Sequence, residues 1–338
     1  MVTDNNFRVG VLGAGNSGAG LHLPVLNAMP AVPVAWICDL DIARAKRVAA
    51  KFNVPETFSS LSQCPNVNGI VMTIPLGSRD AAIDETLRNH WNVLVEKPFA
   101  TTVANHEKIL GRAKSAGVQI GIMLQRRAYH STAVARKFID SGILGPIKKI
   151  WAADAQPERR SGIDGEGWAQ WQSDLEIAGG GILVDKGFHL IDHAFFMVHG
   201  IGLKNVKASL NGITGIDTEV RALAELTPET GAPFPIAVRL TRSRDLRRGI
   251  DIECERGTIS VSNYPKDPVI LSTPADREVC HLDADLRGAK GGPAAVHLQW
   301  EAFLQQCRTR KPTIADASSA VLTTKFIEDV YKNGVWNE

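Results

Sequence analysis

Asp185 and His189 stand four positions apart in Gly179-Gly180-Gly181-Ile182-Leu183-Val184-Asp185-Lys186-Gly187-Phe188-His189. On a helix that spacing puts a carboxylate and an imidazole on one face, one turn apart. A lysine, Lys97, follows the apolar run Val93-Leu94-Val95 within Glu96-Lys97-Pro98, where a strand should end. Oxidising a secondary alcohol needs a group to take the hydroxyl proton and a positive group beside the oxygen, while hydride leaves for a nicotinamide. His189 titrates in the right range for the proton, and Lys97 suits the oxygen. Asp185 would orient His189 or bind a second hydroxyl.

The carrier for that hydride has its own signature. Val9-Gly10-Val11-Leu12 runs directly into Gly13-Ala14-Gly15-Asn16-Ser17-Gly18. Gly13 can make a tight turn, Gly15 lets backbone approach a pyrophosphate, and Gly18 allows close packing of helix on strand. Asn16 and Ser17 lie between them, at a helix N-terminus whose N–H groups and dipole favour an anion. Asp39 ends the next strand, 39 − 18 = 21 positions after Gly18, close to the roughly 20 expected of the carboxylate that binds a ribose hydroxyl. A carboxylate there repels a 2′-phosphate, which favours NAD. Arg44 stands near enough in sequence to keep NADP as the alternative.

These residues must be held by a scaffold. Strand and helix signals alternate from residue 7 to 125: strands at Phe7–Leu12, Val34–Cys38, Gly69–Ile74, Asn92–Val95 and Val118–Leu124, with helices between. That rhythm predicts βαβ units and a doubly wound parallel sheet of α/β type. Pro24 should interrupt the first helix early. After residue 125 a helix at Ser131–Ser141 leads to a strand, a Trp-bearing loop at Gln156–Ser173 and the helix carrying Asp185. Strand candidates then run from Val206 to Ser272, separated by turn signals, so this half should hold a largely antiparallel sheet. Helices at Ala294–Arg308 and Ser318–Asn333 close the chain. Residues 1–125 are thus expected to form a dinucleotide-binding domain and 126–338 a substrate and oligomerisation domain.

Composition excludes several classes. With 38 basic and 36 acidic side chains the net charge is +2, too weak a field to argue for nucleic acid or an anionic membrane. The run Arg242-Ser243-Arg244-Asp245-Leu246-Arg247-Arg248 reads as a solvated turn between strands. Five scattered cysteines without a C-x-x-C pair suggest neither a disulfide framework nor a zinc site, and fit a reducing compartment. No secretory leader and no membrane span is legible, so a cytoplasmic location is expected.

Taken together, the strand with G-x-G-x-x-G and Asp39, then Glu96-Lys97-Pro98, then the glycine-rich lead into D-x-x-x-H resemble the glucose–fructose oxidoreductase and inositol dehydrogenase family, Gfo/Idh/MocA. The resemblance runs over essentially the whole chain, including Gly142-x-x-Gly145-x-Ile147 and Glu255-Arg256-Gly257-Thr258. It implies an N-terminal Rossmann domain and a C-terminal α+β domain with an open, mostly antiparallel sheet. Carried over residue by residue, it assigns Lys97, Asp185 and His189 to the substrate and nicotinamide, and Thr73, Pro75, Glu96 and Lys97 to the cofactor side. It makes Lys97-Pro98 a candidate cis peptide. One departure stands out: this chain has Ser78-Arg79 where family members commonly carry a histidine.

Further substrate contacts are expected from Arg127 and Tyr129, after the last Rossmann strand, and from Trp168 and Trp171, which could stack on a sugar face. Arg127 has a rival reading, an ion pair between the domains. His193 continues the face of Asp185 and His189, but it has no obvious co-ligands and the family uses no metal, so none is assigned. Asp192 and Lys186 are read as supporting residues. The expected function is an NAD(P)-dependent oxidoreductase acting on a hydroxyl of a sugar, cyclitol or related polyol, working as a homodimer or homotetramer. The alternatives are reduction of another unsaturated group, an imine or a bilin, and a nucleotide-sensing regulator without turnover.

Overall fold

A computed structural model describes residues 7–156, 174–213, 215–275, 280–282 and 292–337. The alternating half forms six parallel strands: β1 (Val9–Leu12), β2 (Val34–Cys38), β3 (Glu56–Phe58), β4 (Gly69–Met72), β5 (Asn92–Glu96) and β6 (Ile120–Met123). Their order is β3-β2-β1-β4-β5-β6, the doubly wound arrangement in which direction reverses between β1 and β4. β1, β4 and β6 are buried at every position, which is why they read as unbroken apolar runs rather than alternating ones. The crossovers carry α1 (Leu23–Asn27), α2 (Ile42–Phe52), α3 (Arg79–Arg88) and α4 (Val103–Ser115). Asp41 caps α2 by accepting from Arg44 N at 3.0 Å, and Thr102 caps α4 through Asn105 N at 3.2 Å.

Pro24 does not break the first helix. A single π-turn, Gly18–His22, precedes α1, and Leu23 N bonds Gly18 O instead of the usual fourth carbonyl back. The widened turn hands over to α1 just where the proline lacks its own N–H.

The second sheet has nine strands in the order β14-β13-β12-β11-β7-β10-β9-β8-β15. They are β7 (Ile147–Ala155), β8 (Gly200–Ile213), β9 (Ile216–Pro228), β10 (Phe234–Thr241), β11 (Gly249–Cys254), β12 (Thr258–Ser262), β13 (Val269–Ser272), β14 (Cys280–Leu282) and β15 (Gly334–Asn337). Neighbours run antiparallel except β7 with β10 and β8 with β15, so the sheet is mixed, with antiparallel pairing dominant as expected. β3 and β15 carry no strong sequence signal, and β8 begins well before the expected Val206. One face is covered by helices α5 (His130–Asp140), α7 (Phe188–Met197) and α9 (Val321–Asn333); α6 (Leu175–Ala178) lies in the connection between β7 and α7.

The 18-residue helix α8 (Gly292–Thr309) returns to the first sheet. Its Val296, Trp300, Phe303 and Leu304 share one core cluster with Val9, Val11, Leu23 and Leu94. The change of rhythm near residue 125 therefore marks where the chain leaves the Rossmann sheet, and α8 marks where it comes back.

Candidate active site

Three loops meet at the carboxyl ends of β1, β4 and β5, the edge where ligands sit on open α/β sheets. At the first, Gly13 adopts φ +103°, and a Cβ on Gly18 would lie 2.0 Å from Gly13 O. A Cβ on Gly15 would meet nothing within 4 Å. The loop is thus tight against its own helix and open on the outer side, the shape a pyrophosphate needs. Asp39 holds it from β2: Oδ2 accepts from Ala14 N at 2.7 Å and Oδ1 from Asp41 N at 2.9 Å. Arg44 lies 4.0 Å from the same carboxylate. Thr73 Oγ1 sits 3.0 Å from Leu12 O and 2.9 Å from Gly13 O, so its hydroxyl tightens the loop from behind. Pro75 opens the short turn that follows β4. These residues fit a dinucleotide.

At the end of β5, Glu96 is buried and fully engaged. Trp300 Nε1 donates to His22 Nδ1 at 3.1 Å, which fixes the tautomer so that His22 Nε2 donates to Glu96 Oε1 at 2.9 Å. Burial opposes ionisation of Glu96, but His22, Lys97 and Arg79 outweigh it and hold the carboxyl below its usual range. Arg79, in the Ser78-Arg79 pair that stands where the family commonly carries a histidine, faces inward. Its Nε donates to Ile74 O at 2.9 Å and its Nη1 to Glu96 O at 2.6 Å and to Pro98 O, tying the ends of β4 and β5 together. Burial lowers this guanidinium to about 10. The Lys97-Pro98 peptide is cis, as the resemblance implied.

Asp185 approaches from the second domain. A π-turn, Leu183–Gly187, leads into α7, so Asp185 and His189 sit across a widened turn rather than on a plain α-helix. This segment is anchored by Asp217 on β9, whose carboxylate accepts from Gly181 N at 3.0 Å, Leu183 N at 2.8 Å and the Tyr331 hydroxyl. A Cβ on Gly181 would fall 2.0 Å from Asp217 O, so the approach requires glycine there.

The expected Asp185–His189 partnership is not formed. Asp185 Oδ1 lies 3.3 Å from Lys97 Nζ, and Oδ2 accepts from Arg242 Nη2 at 3.2 Å. Lys97 Nζ also donates to the Asp185 carbonyl at 2.6 Å. Burial disfavours the carboxylate, yet Lys97, Lys186 and Arg242 overcome it and hold Asp185 down at about 2. Asp185 is therefore the anchor of the lysine, not the orienter of the imidazole. Arg242, the first residue of the run read as a solvated turn, is turned into the site, with its side chain 15% exposed. His189 Nδ1 is buried without a hydrogen-bond partner among the described residues. Burial first, then Lys97, Arg126 and Lys186, push its imidazole far below the usual histidine range.

Other expected contacts lie elsewhere. Arg127, expected on the substrate, is buried in an ion pair: Nε donates to Asp192 Oδ2 at 2.8 Å and Nη2 to Oδ1 at 2.5 Å, with Nη1 donating to Ser319 and Ile314 O. Its donors are consumed, and the ion pair is an internal clamp within residues 126–338, not the expected pair between the domains. Tyr129 is buried with its ring edge-on to His193. Thr132 Oγ1 donates to Arg126 O at 2.6 Å and receives His193 Nε2 at 2.7 Å, which makes His193 a packing residue. Trp168 and Trp171 lie outside the described residues. Sequence reasoning missed Asp217, Arg242, His22 and Arg126. Only Arg126, beside Arg127 at the end of β6, carried a positional signal.

Residues 7–124 match the oxidoreductase family with an NAD-binding Rossmann fold, and residues 132–260 match the GFO/IDH/MocA C-terminal domain. The chain belongs to this family. It is similar to a dTDP-3,4-didehydro-2,6-dideoxy-α-D-glucose 3-reductase of Actinomadura kijaniata, 28% identical over 67% of this chain and 66% of that protein. It is also similar to an inositol 2-dehydrogenase/D-chiro-inositol 3-dehydrogenase of Lacticaseibacillus casei, 22% identical over 78% and 75%. The chain spans 54% to 66% of the length of three curated sugar-active relatives. Its fold superimposes on a levoglucosan dehydrogenase in complex with NADH and levoglucosan, with TM-score 0.82, 18% identity and 97% of each chain covered.

Proposed function

We propose that this chain is an NAD(P)-dependent oxidoreductase that moves hydride between nicotinamide and a hydroxyl-bearing carbon of a sugar, cyclitol or related polyol. The observation that carries the reading is the meeting of Lys97, from the cofactor domain, with Asp185, from the substrate domain, beside an imidazole whose Nδ1 has no hydrogen-bond partner among the described residues. The dinucleotide, when bound, supplies the two-electron hydride acceptor. Gly13, Gly15, Asn16, Ser17 and Gly18 would cradle its pyrophosphate, and Asp39 its ribose, which favours NAD because a 2′-phosphate would face that carboxylate.

The remaining work falls to the side chains. Lys97 places its ammonium where negative charge develops on the substrate oxygen. Asp185, itself held by Arg242, fixes that ammonium from one side. His189, neutral near pH 7, accepts the hydroxyl proton during oxidation and returns it during reduction.

The test is nicotinamide absorbance with NAD and NADP in parallel, across cyclitols, free sugars, sugar phosphates and nucleotide sugars. Turnover of one substrate class that falls by at least ~100-fold in both Lys97→Ala and His189→Ala would support the reading. Cofactor binding without turnover of any polyol would overturn it in favour of an imine or bilin reductase or a nucleotide sensor.

A further inference from the structure

Resting on that reading, we propose that the substrate is an acid: its carbon skeleton carries a carboxylate or phosphate that Arg126 and Lys186 bind beside His189. Arg126, at the carboxyl end of β6, pairs with Asp154 Oδ2 at 3.2 Å through Nη2, while its Nη1 is buried without a partner among the described residues. The second oxygen of Asp154 accepts from Ala155 N at 2.9 Å and makes no bond to Nη1. Lys186 follows Asp185, and no carboxylate among the described residues lies within the 4.0 Å of an ion pair with its ammonium. Asp185 is spent on Lys97 and Arg242.

The charges therefore do not balance around the base. His189 is faced by Lys97 from the end of β5, Arg126 from the end of β6 and Lys186 from the π-turn, with neutral His193 one turn further along α7. Asp154 and Asp185 answer Arg126 and Lys97 at ion-pair distance, and act on Lys186 only from beyond it. Arg242 is answered in part by Asp185 and, behind it, by Asp217, whose oxygens serve Gly181, Leu183 and Tyr331. Lys186 and one arm of Arg126 are left over. A planar guanidinium arm beside an ammonium matches the geometry and the charge of a carboxylate or phosphate.

The same anion completes the proton-transfer group. An imidazole ringed by cations is a weak base, since a nearby like charge disfavours its charged form. An acid substrate brings the opposite charge to that ring, so His189 becomes a competent acceptor only when such a substrate is seated. A neutral polyol would lack both the anchor and the activated base.

The experiment compares matched probes: D-glucose and myo-inositol as neutral compounds, D-glucuronate and D-gluconate as carboxylates, D-glucose 6-phosphate as the phosphate, and methyl D-glucuronate as the uncharged isostere. Binding to the enzyme–NADH complex is measured by calorimetry, and turnover by absorbance. The expected result is binding of one anionic arm at least tenfold tighter than its neutral partner, with the methyl ester behaving as neutral. Which arm wins separates carboxylate from phosphate. Arg126→Gln and, independently, Lys186→Gln should each erase most of that preference, and a folded Lys186→Gln keeps the test decisive if the Arg126 variant misfolds. For the preferred acid, the acid limb of kcat should lie at least one pH unit above that of kcat/KM. Neutral probes that bind or turn over as well as the acids would overturn the inference and leave the oxidoreductase reading standing. Tight acid binding with no turnover would uphold the anion site and sink that reading instead.

Discussion

Asp217 anchors the candidate site from behind. Its carboxylate satisfies Gly181 N, Leu183 N and the Tyr331 hydroxyl at the start of the segment that presents Asp185. Burial raises its pKa, and those three donors pull it back down without cancelling the rise. Asp217→Ala should strand these donors and cost about 3 kcal/mol, read as a lower urea midpoint, together with a fall in kcat; Asp217→Asn should recover part of both. A stability loss under about 0.5 kcal/mol would show that the carboxylate is not the anchor. The contrast with Asp185 explains what could be read in advance. Lys97, Asp185 and His189 were visible because strand ends and helical spacing are local patterns. Asp217, Arg242 and His22 act across tens of residues, and nothing in their own neighbourhoods announces a partner. That is also why Asp185 was assigned to His189, its neighbour in sequence, when the fold gives it to Lys97, 88 positions away.

At the level of elements, the buried strands and amphipathic helices were legible almost to their ends, whereas β3, β15 and both π-turns were not. Short edge strands take their identity from a partner, and a π-turn differs from an α-turn by one residue of register that no periodicity resolves. Two helix interfaces carry buried neutral histidines with a measurable consequence. His106 of α4 sits against Thr324 Oγ1 and Ala317 O, and burial pushes it down to about 4. His193 of α7, against Thr132 of α5, is pushed down to about 3. Between those values and the unfolded pKa near 6.5, the unfolded chain binds protons that the folded chain refuses. Stability is therefore whole above pH 6.5 and falls as pH drops, by about 1.4 kcal/mol per unit for each histidine. Denaturant midpoints taken between pH 7 and 5 should show this slope, and His106→Gln should remove its share. A flat profile would mean the histidines protonate in place.

On the scale of the molecule, the second sheet has one helix-covered face and one that stays open among the described residues. Leu223 of β9 and Val335 of β15 stand on the open side, 58% and 64% exposed, beside Ser209 and Arg221. Apolar side chains on a broad sheet face favour a second copy as cover, and the expected state is a homodimer or homotetramer. Light scattering after size exclusion should give a multiple of the 36.6 kDa chain mass, and Leu223→Glu should shift it toward monomer. A monomer across a wide concentration range would rule this out.

The return of α8 to the first sheet sets an order of events in synthesis. Trp300, Phe303 and Leu304 complete a core whose other members, Val9, Val11 and Leu94 among them, leave the ribosome first. At about 5–20 residues per second, the interval between residue 124 and residue 304 is roughly 10–40 s. For that time the nascent cofactor domain carries an apolar face with nothing to lay against it. The last turn of its hydrogen-bond chain, Trp300 to His22 to Glu96, is likewise unmade. The nucleotide site is begun early in the chain and completed late, so its binding of dinucleotide waits on a helix made long after the glycine loop.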